Sequence, residues 1–376
     1  MRATLKTVTH YLQEEHWRTY FLKAIVLFAL ILLIKICMPS LPSIAITLIL
    51  AIVTTTSAIG FAYFAIIRKT EKQISRFQEG GKFAQYNNGR RGTILLSFAL
   101  AVVFSISLLA NIPQWDTLTW CLIALCIPLY YVISIFVKSY VEREYKPLFQ
   151  PAGVTQLTFY IIVAISFILL LVLSYFSTTQ NYSSYIDALH AAEVSFDNSP
   201  SILMADISFF TTIANIAIAY GIPEAIRSAS TSLEFIGLTI VNLLVHLSIV
   251  IGFMNLLNVC YLRTSELRRV FAPLSIEHTD PNILPIQKRF VIPHFALALL
   301  VAISFVGVDY AVTQDKASTG QTPIEALTYT ELEILTYIID GDTLNEQLAQ
   351  RFISESQQLI ASWGSESAQE AAPENG

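Results

Sequence analysis

Few side chains in this sequence are placed to do chemistry. On the apolar run 234–258, Asn242 and His246 stand four residues apart with Thr239 on the same helical face, while Ser248, Gly252, Asn255 and Asn258 form a second, roughly opposite strip. Two readings of His246 stay open: a packed, hydrogen-bonded residue, or a ligand or gate. No H-E-x-x-H, no G-x-S-x-G and no intramembrane acid paired with a base occurs, so no catalytic residue is assigned and an enzyme is not expected. Gly80, Gly81 and Gly89 are spaced for turns rather than for a phosphate cradle, which argues against a nucleotide or nucleic-acid ligand. Cys37, Cys121, Cys126 and Cys260 form neither a metal-ligand spacing nor a disulfide framework, so neither a metal nor a cofactor is expected. A proton-coupled transporter would hold an Asp or Glu at mid-depth, and no span interior has one.

The elements that must position these residues are membrane helices. The 376 residues are 54% apolar and 14% charged, against roughly 25% charged in soluble domains. Seven apolar runs, 20–38, 42–67, 93–112, 117–137, 156–176, 234–258 and 291–308, approach or exceed the roughly 20 residues a spanning helix needs. No A-x-A site follows the first, so a cleaved leader is not expected. Of 23 Lys and Arg residues, 18 fall in the N-terminus and in loops 68–92, 138–155 and 259–290, on one side of a seven-span layout. The charge rule therefore predicts a multi-pass protein of the inner (plasma) membrane with its N-terminus cytoplasmic and its C-terminus outside. Segment 202–222 is apolar but interrupted. If it crossed, the basic loop 259–290 would flip outward, so it is expected to re-enter or to fold on the outer surface.

The predicted fold class is an all-α membrane protein with a re-entrant segment and a small outer hairpin. Residues 1–19 form an amphipathic cytoplasmic helix, 20–155 a four-helix membrane unit, and 156–258 a helix, re-entrant segment and helix. Residues 259–308 supply a basic cytoplasmic loop and the seventh span, and 309–376 an extracytoplasmic helical hairpin with a disordered tail. Lys23 and Lys35 are expected to snorkel to opposite ends of the first span. The hydroxyls Thr54 to Ser57 are expected to bond across helices or to their own backbone, or to line a polar cavity. Pro128 should kink the fourth span.

Asp206 to Asn258 reads DISFFTTIANIAIAYGIPEAIRSASTSLEF followed by a clear span. Its order, with Phe209 and Phe210 opening a short helix, Tyr220-Gly221 and Pro223 after it, and a long apolar helix next, resembles the pore module of the tetrameric potassium-channel superfamily. The resemblance covers about 156–258 and implies a filter at Ile216, Ala217, Ile218, Ala219, Tyr220 and Gly221, with Glu224 ringing the outer mouth. Ile216 and Ala217 stand at the family's Thr positions and Ala219 at its first filter Gly, so the implied pore conducts cations without potassium selectivity. It further implies a homotetramer, short helices aiming their negative ends at a central cavity, Asn242 and His246 facing the pore, and Gly252 letting the inner helix bend. Two other readings stand beside it. One is a non-conducting scaffold or complex subunit, binding a protein partner through the outer hairpin. The other is a small-molecule transporter. In all three, membrane lipid is a partner.

Overall fold

The computed structural model describes residues 16–38, 41–76, 90–145, 149–181, 201–216, 220, 233–272, 286–320, 322 and 324. These form α1 (His16–Cys37), α2 (Ser43–Arg76), α3 (Arg91–Asn111), α4 (Thr117–Glu144), α5 (Gln150–Asn181), α6 (Ile202–Ile216), α7 (Leu233–Tyr261), α8 (Thr264–Phe271) and α9 (Lys288–Thr319), with a 3-10 turn at Ile112–Gln114. No strand occurs among the described residues. Seven helices, α1 to α5, α7 and α9, are long and apolar enough to cross a membrane. In hydrocarbon a helix satisfies its own backbone, which is why runs of this composition fold this way. The 15-residue α6 reaches only about 22 Å, short of a bilayer core.

Contacts fix which helix ends lie together. At one end, the basic end, Lys23 Nζ donates to Leu262 O at 3.2 Å, Tyr63 to Glu266 at 2.8 Å and Arg90 to Val270 O at 2.7 Å. At the opposite end Lys35 Nζ donates to Trp115 O, and Ser43 and Ser201 both donate to Asp309. The two lysines of the first span thus reach opposite ends, as their spacing predicts. The turn into α4 is written locally. Pro113 sits in the 3-10 turn, and Asp116 caps α4 by accepting from Thr119 N at 2.8 Å.

α7 is the central helix. Of its best apolar window 56% is buried, against 17% for α1 and 11% for α9, whose outward faces carry Leu22, Leu33, Ile292 and Phe295. Two glycines set its distance from α2 and α3. A Cβ on Gly252 would come within 2.7 Å of Phe104 O, and one on Gly60 within 2.4 Å of Asn255 Oδ1. Small residues at such crossings let backbones approach closely.

The core is continuous, and two helix bounds differ from those expected. One core, running from Tyr20 through Leu108, Tyr130 and Ile162 to Phe253 and Phe305, is shared by all seven long helices. α4 runs to Glu144 and α5 begins at Gln150, leaving little of the loop expected over 138–155. α9 continues past 308 to Thr319 and stops at Gly320, whose φ of 76° is left-handed. Asp309 is therefore a helix residue packed inside the bundle, not the start of a tail. α4 is continuous through Pro128. The N-terminal helix over 3–19 and the outer hairpin lie almost wholly outside the described residues.

Candidate functional site

Five polar residues run along α7 through the middle of the bundle: Thr239, Asn242, His246, Asn255 and Asn258. Asn242 and His246 are each 1% exposed, and Asn255 and Asn258 are fully buried. His246 Nδ1 lies 2.9 Å from Asn242 O. A carbonyl only accepts, so Nδ1 carries the proton and Nε2 of the neutral ring presents a lone pair. That Nε2 has no partner, and neither do Oδ1 and Nδ2 of Asn242 nor the Thr239 hydroxyl. Toward the basic end, Asn255 Nδ2 donates to Ser57 O at 2.7 Å and to Ser57 Oγ at 2.8 Å, while its Oδ1 stays unpaired. Asn258 Oδ1 accepts from the Tyr130 hydroxyl at 2.8 Å, and its Nδ2 stays unpaired. Ser248, between the two groups, hydrogen-bonds Ser107 of α3.

These groups face the chain's own helices. From Ile249 to Asn258 nearly every residue of α7 is buried. Nearer the opposite end, the open side of α7 carries Ile240, Val241 and Leu244, which are apolar. Asn242 and His246 are packed inside the single chain, beside an outward face of α7 that is apolar. Gly252 lies in an unbroken helix, closely packed against the backbone of Phe104. Of the hydroxyl run on α2, Thr55 and Thr56 bond back to Ala51 O and Ile52 O, Ser57 reaches across to Asn255, and Thr54 is buried with its hydroxyl unpaired.

The short helix α6 is fastened at both ends of its buried face. Gln114 Nε2 donates to Ser208 O at 2.7 Å and to Thr211 Oγ1 at 3.2 Å, and Ser208 Oγ donates to Ala110 O at 2.8 Å. At its start, Ser201 Oγ accepts from Met204 N at 3.3 Å, while Leu203 N and Ser201 Oγ both donate to Asp309 Oδ1. Asp309 Oδ2 takes the Ser43 hydroxyl at 2.7 Å, and Asp206 takes that of Thr322 at 2.6 Å. This clamp joins the start of α2, the start of α6 and the end of α9. Reading the sequence missed it because Asp309 follows an apolar run and looks like its solvated edge. α6 packs chiefly on α3 and α9, and less on α5 and α7. Of the expected filter, Ile216 ends α6 fully packed and Tyr220 is half-buried. Ala217, Ile218, Ala219, Gly221 and Glu224 lie outside the described residues.

A third polar feature closes the basic end. Arg90, 4% exposed, donates from one terminal nitrogen to Arg269 O at 3.1 Å and Val270 O at 2.7 Å. Its guanidinium lies 4.6 Å from the centre of the Phe290 ring. Burial, and secondly the charge of Arg289, push its pKa down to about 10. Among the described residues no group of three or more His, Cys, Asp or Glu is placed to hold a metal ion. No protein-family model, no curated protein and no solved structure matches this chain.

Proposed function

We propose that this chain is a cation-conducting membrane protein whose polar path runs inside each copy, along α7, and is held closed in the described arrangement. The observation that carries this reading is the file of unpaired polar atoms on the most buried spanning helix. Each such group, left dry, costs about 1–3 kcal/mol, and intramembrane polar groups without partners are functional candidates for that reason. Several of the open valences are lone pairs (His246 Nε2, Asn242 Oδ1, Asn255 Oδ1), which suit a cation or its water shell. At mid-depth the spans hold no acid to couple transport to protons, which favours conduction over coupled transport. The acids Asp206 and Asp309 sit at one mouth. The fourfold pore implied by the channel resemblance would line a shared axis with polar residues, and the open face of α7 is apolar. The reading therefore places the path within the copy. The charge bias of the loops puts the basic end in the cytoplasm, in a plasma-type membrane.

The test is cation flux into proteoliposomes followed with a potential-sensitive dye. Purified protein should conduct, and His246→Leu or Asn255→Leu should reduce flux about tenfold or more. Well-folded protein that passes no cation between about pH 5 and 8 overturns the reading.

A second reading, a non-conducting scaffold or complex subunit, is favoured by one observation. Between α4, α5 and the stretch Ile249–Met254 of α7 lies a small cavity of about 30 Å³, lined by Trp115, Leu122, Leu170 and Phe253 among others. That is room for about two waters. A stoichiometric co-purifying partner, together with absence of flux, would establish it.

A further inference from the structure

The basic end holds an arrangement that the proposed path does not use. α3 and α9 both begin there, at Arg91 and Lys288, and neither start has a side-chain cap or an acid in its first turn. The first amide groups of a helix have no partner within it, and the helix dipole adds a positive field there. Both helices start in basic residues, Arg90-Arg91 and Lys288-Arg289. The guanidiniums of Arg90 and Arg289 both lie near one ring, 4.6 Å and 4.8 Å from the centre of Phe290. Lys69, two turns before the end of α2, lies close enough to feel the charge of Arg90.

Among the described residues no carboxyl group pairs with Arg90 or Arg289. The nearby carboxyl of Glu266 is engaged by Tyr63 at 2.8 Å and by Arg269 at 3.5 Å. Arg90 is satisfied on one side only, by the carbonyls at the end of α8, and its Nε has no hydrogen-bond partner although the residue is 96% buried. A buried guanidinium with a free donor, a like charge beside it and two uncapped helix starts is half of an anion site. Burial and the neighbouring Arg289 both disfavour its charged form, a penalty that an added anion would relieve.

The surroundings indicate which anion. Directly below the charges, the exposed faces of α3 and α9 carry Leu95, Leu96, Ile292 and Phe295, more than half exposed each. An anion that also brings two acyl chains covers both features at once, and a free anion covers only the first. We propose that this corner binds the headgroup phosphate of an anionic glycerophospholipid. Its phosphate would lie against Arg90, Arg289 and the first turns of α3 and α9, and its chains along the apolar faces beneath. Basic pockets between membrane helices at this level are known to take such headgroups.

The experiment is native mass spectrometry of the purified full chain in mixed micelles holding equal amounts of phosphatidylglycerol and phosphatidylcholine. The expected result is retention of phosphatidylglycerol over phosphatidylcholine, with Arg289→Gln and Arg90→Lys each lowering its apparent affinity about fivefold. Arg143→Gln, a charge change at the same end but on exposed α4, should leave retention unchanged. If Arg90→Lys fails to fold, Arg289→Gln decides alone, because its hydrogen bond goes only to Gln287 in the adjoining turn. Equal retention of the two lipids overturns the proposal. So does retention unaffected by Arg289→Gln, or lowered as much by Arg143→Gln. Complete displacement by millimolar inorganic phosphate would show a free-anion site and would also overturn it.

Discussion

The two ends of the bundle handle buried charge in opposite ways. At one, the carboxyl group of Asp309 accepts from two serine hydroxyls and a backbone amide, each from another element of the same chain. At the other, Arg90 is met by carbonyl dipoles and an aromatic face, with a like charge beside it and no carboxyl group among the described residues. The first end is satisfied by hydrogen bonds within the chain and holds helices together. The second is complete only when something joins it. Buried polar groups are costly when unpaired and strongly localising when paired, so the same energetics produces a lock at one end and a receptor at the other.

The largest effect should come from breaking the lock. Asp309→Ala strands the hydroxyls of Ser43 and Ser201 and the amide of Leu203 in a buried site. A loss of about 4 kcal/mol is expected, read as thermal unfolding in a neutral detergent, with Ser43→Ala costing about 1 kcal/mol. Equal stability of Asp309→Ala and the native chain would mean that the clamp does not hold α6 and α9.

Next is the crossing at the centre. Gly252→Ala presses a methyl to within 2.7 Å of the carbonyl of Phe104, a backbone atom that cannot swing away. About 2 kcal/mol of stability should be lost. A tolerated alanine here would favour a bending role for Gly252 over a packing one. This position shows what the sequence could reveal. The seven spans were legible because 20-residue apolar runs have one stable form in a membrane. The central place of α7 was legible only faintly, in polar residues scattered on two faces of one helix, Asn242 and His246 against Ser248 and Asn255. Its depth of burial was not, because it depends on Gly60 and on the hydroxyls of α2, whose partners lie some 200 residues away in sequence. Arg90 looked like one of seven loop charges, and only its contact with α8 and Phe290 distinguishes it.

A smaller effect, of opposite sign, separates path from packing. Asn242 has both amide atoms unpaired in a buried setting. Asn242→Leu should therefore raise stability by about 1.5 kcal/mol while abolishing cation flux. A drop in stability instead would mean that water or an ion already satisfies this amide in the resting protein.

The smallest effect belongs to the incomplete end, and its sign follows from proton binding. Folding lowers the Arg90 pKa to about 10, well below its ordinary value. Below about 10 the folded and unfolded chains both carry this proton, so the cost of the buried charge is present in full at neutral pH. Between the two values the unfolded chain binds more protons than the folded one, so stability rises with pH across that window. At about pH 10.5 the gain should be under about 1 kcal/mol, measured as the difference between the native chain and Arg90→Gln so that other titrating groups cancel. Phosphatidylglycerol should flatten this difference, because a bound phosphate restores the pKa toward its ordinary value and removes the penalty at neutral pH. A pH-dependent difference that persists unchanged in that lipid would separate the strain at Arg90 from any anion. The two ends would then differ in geometry alone.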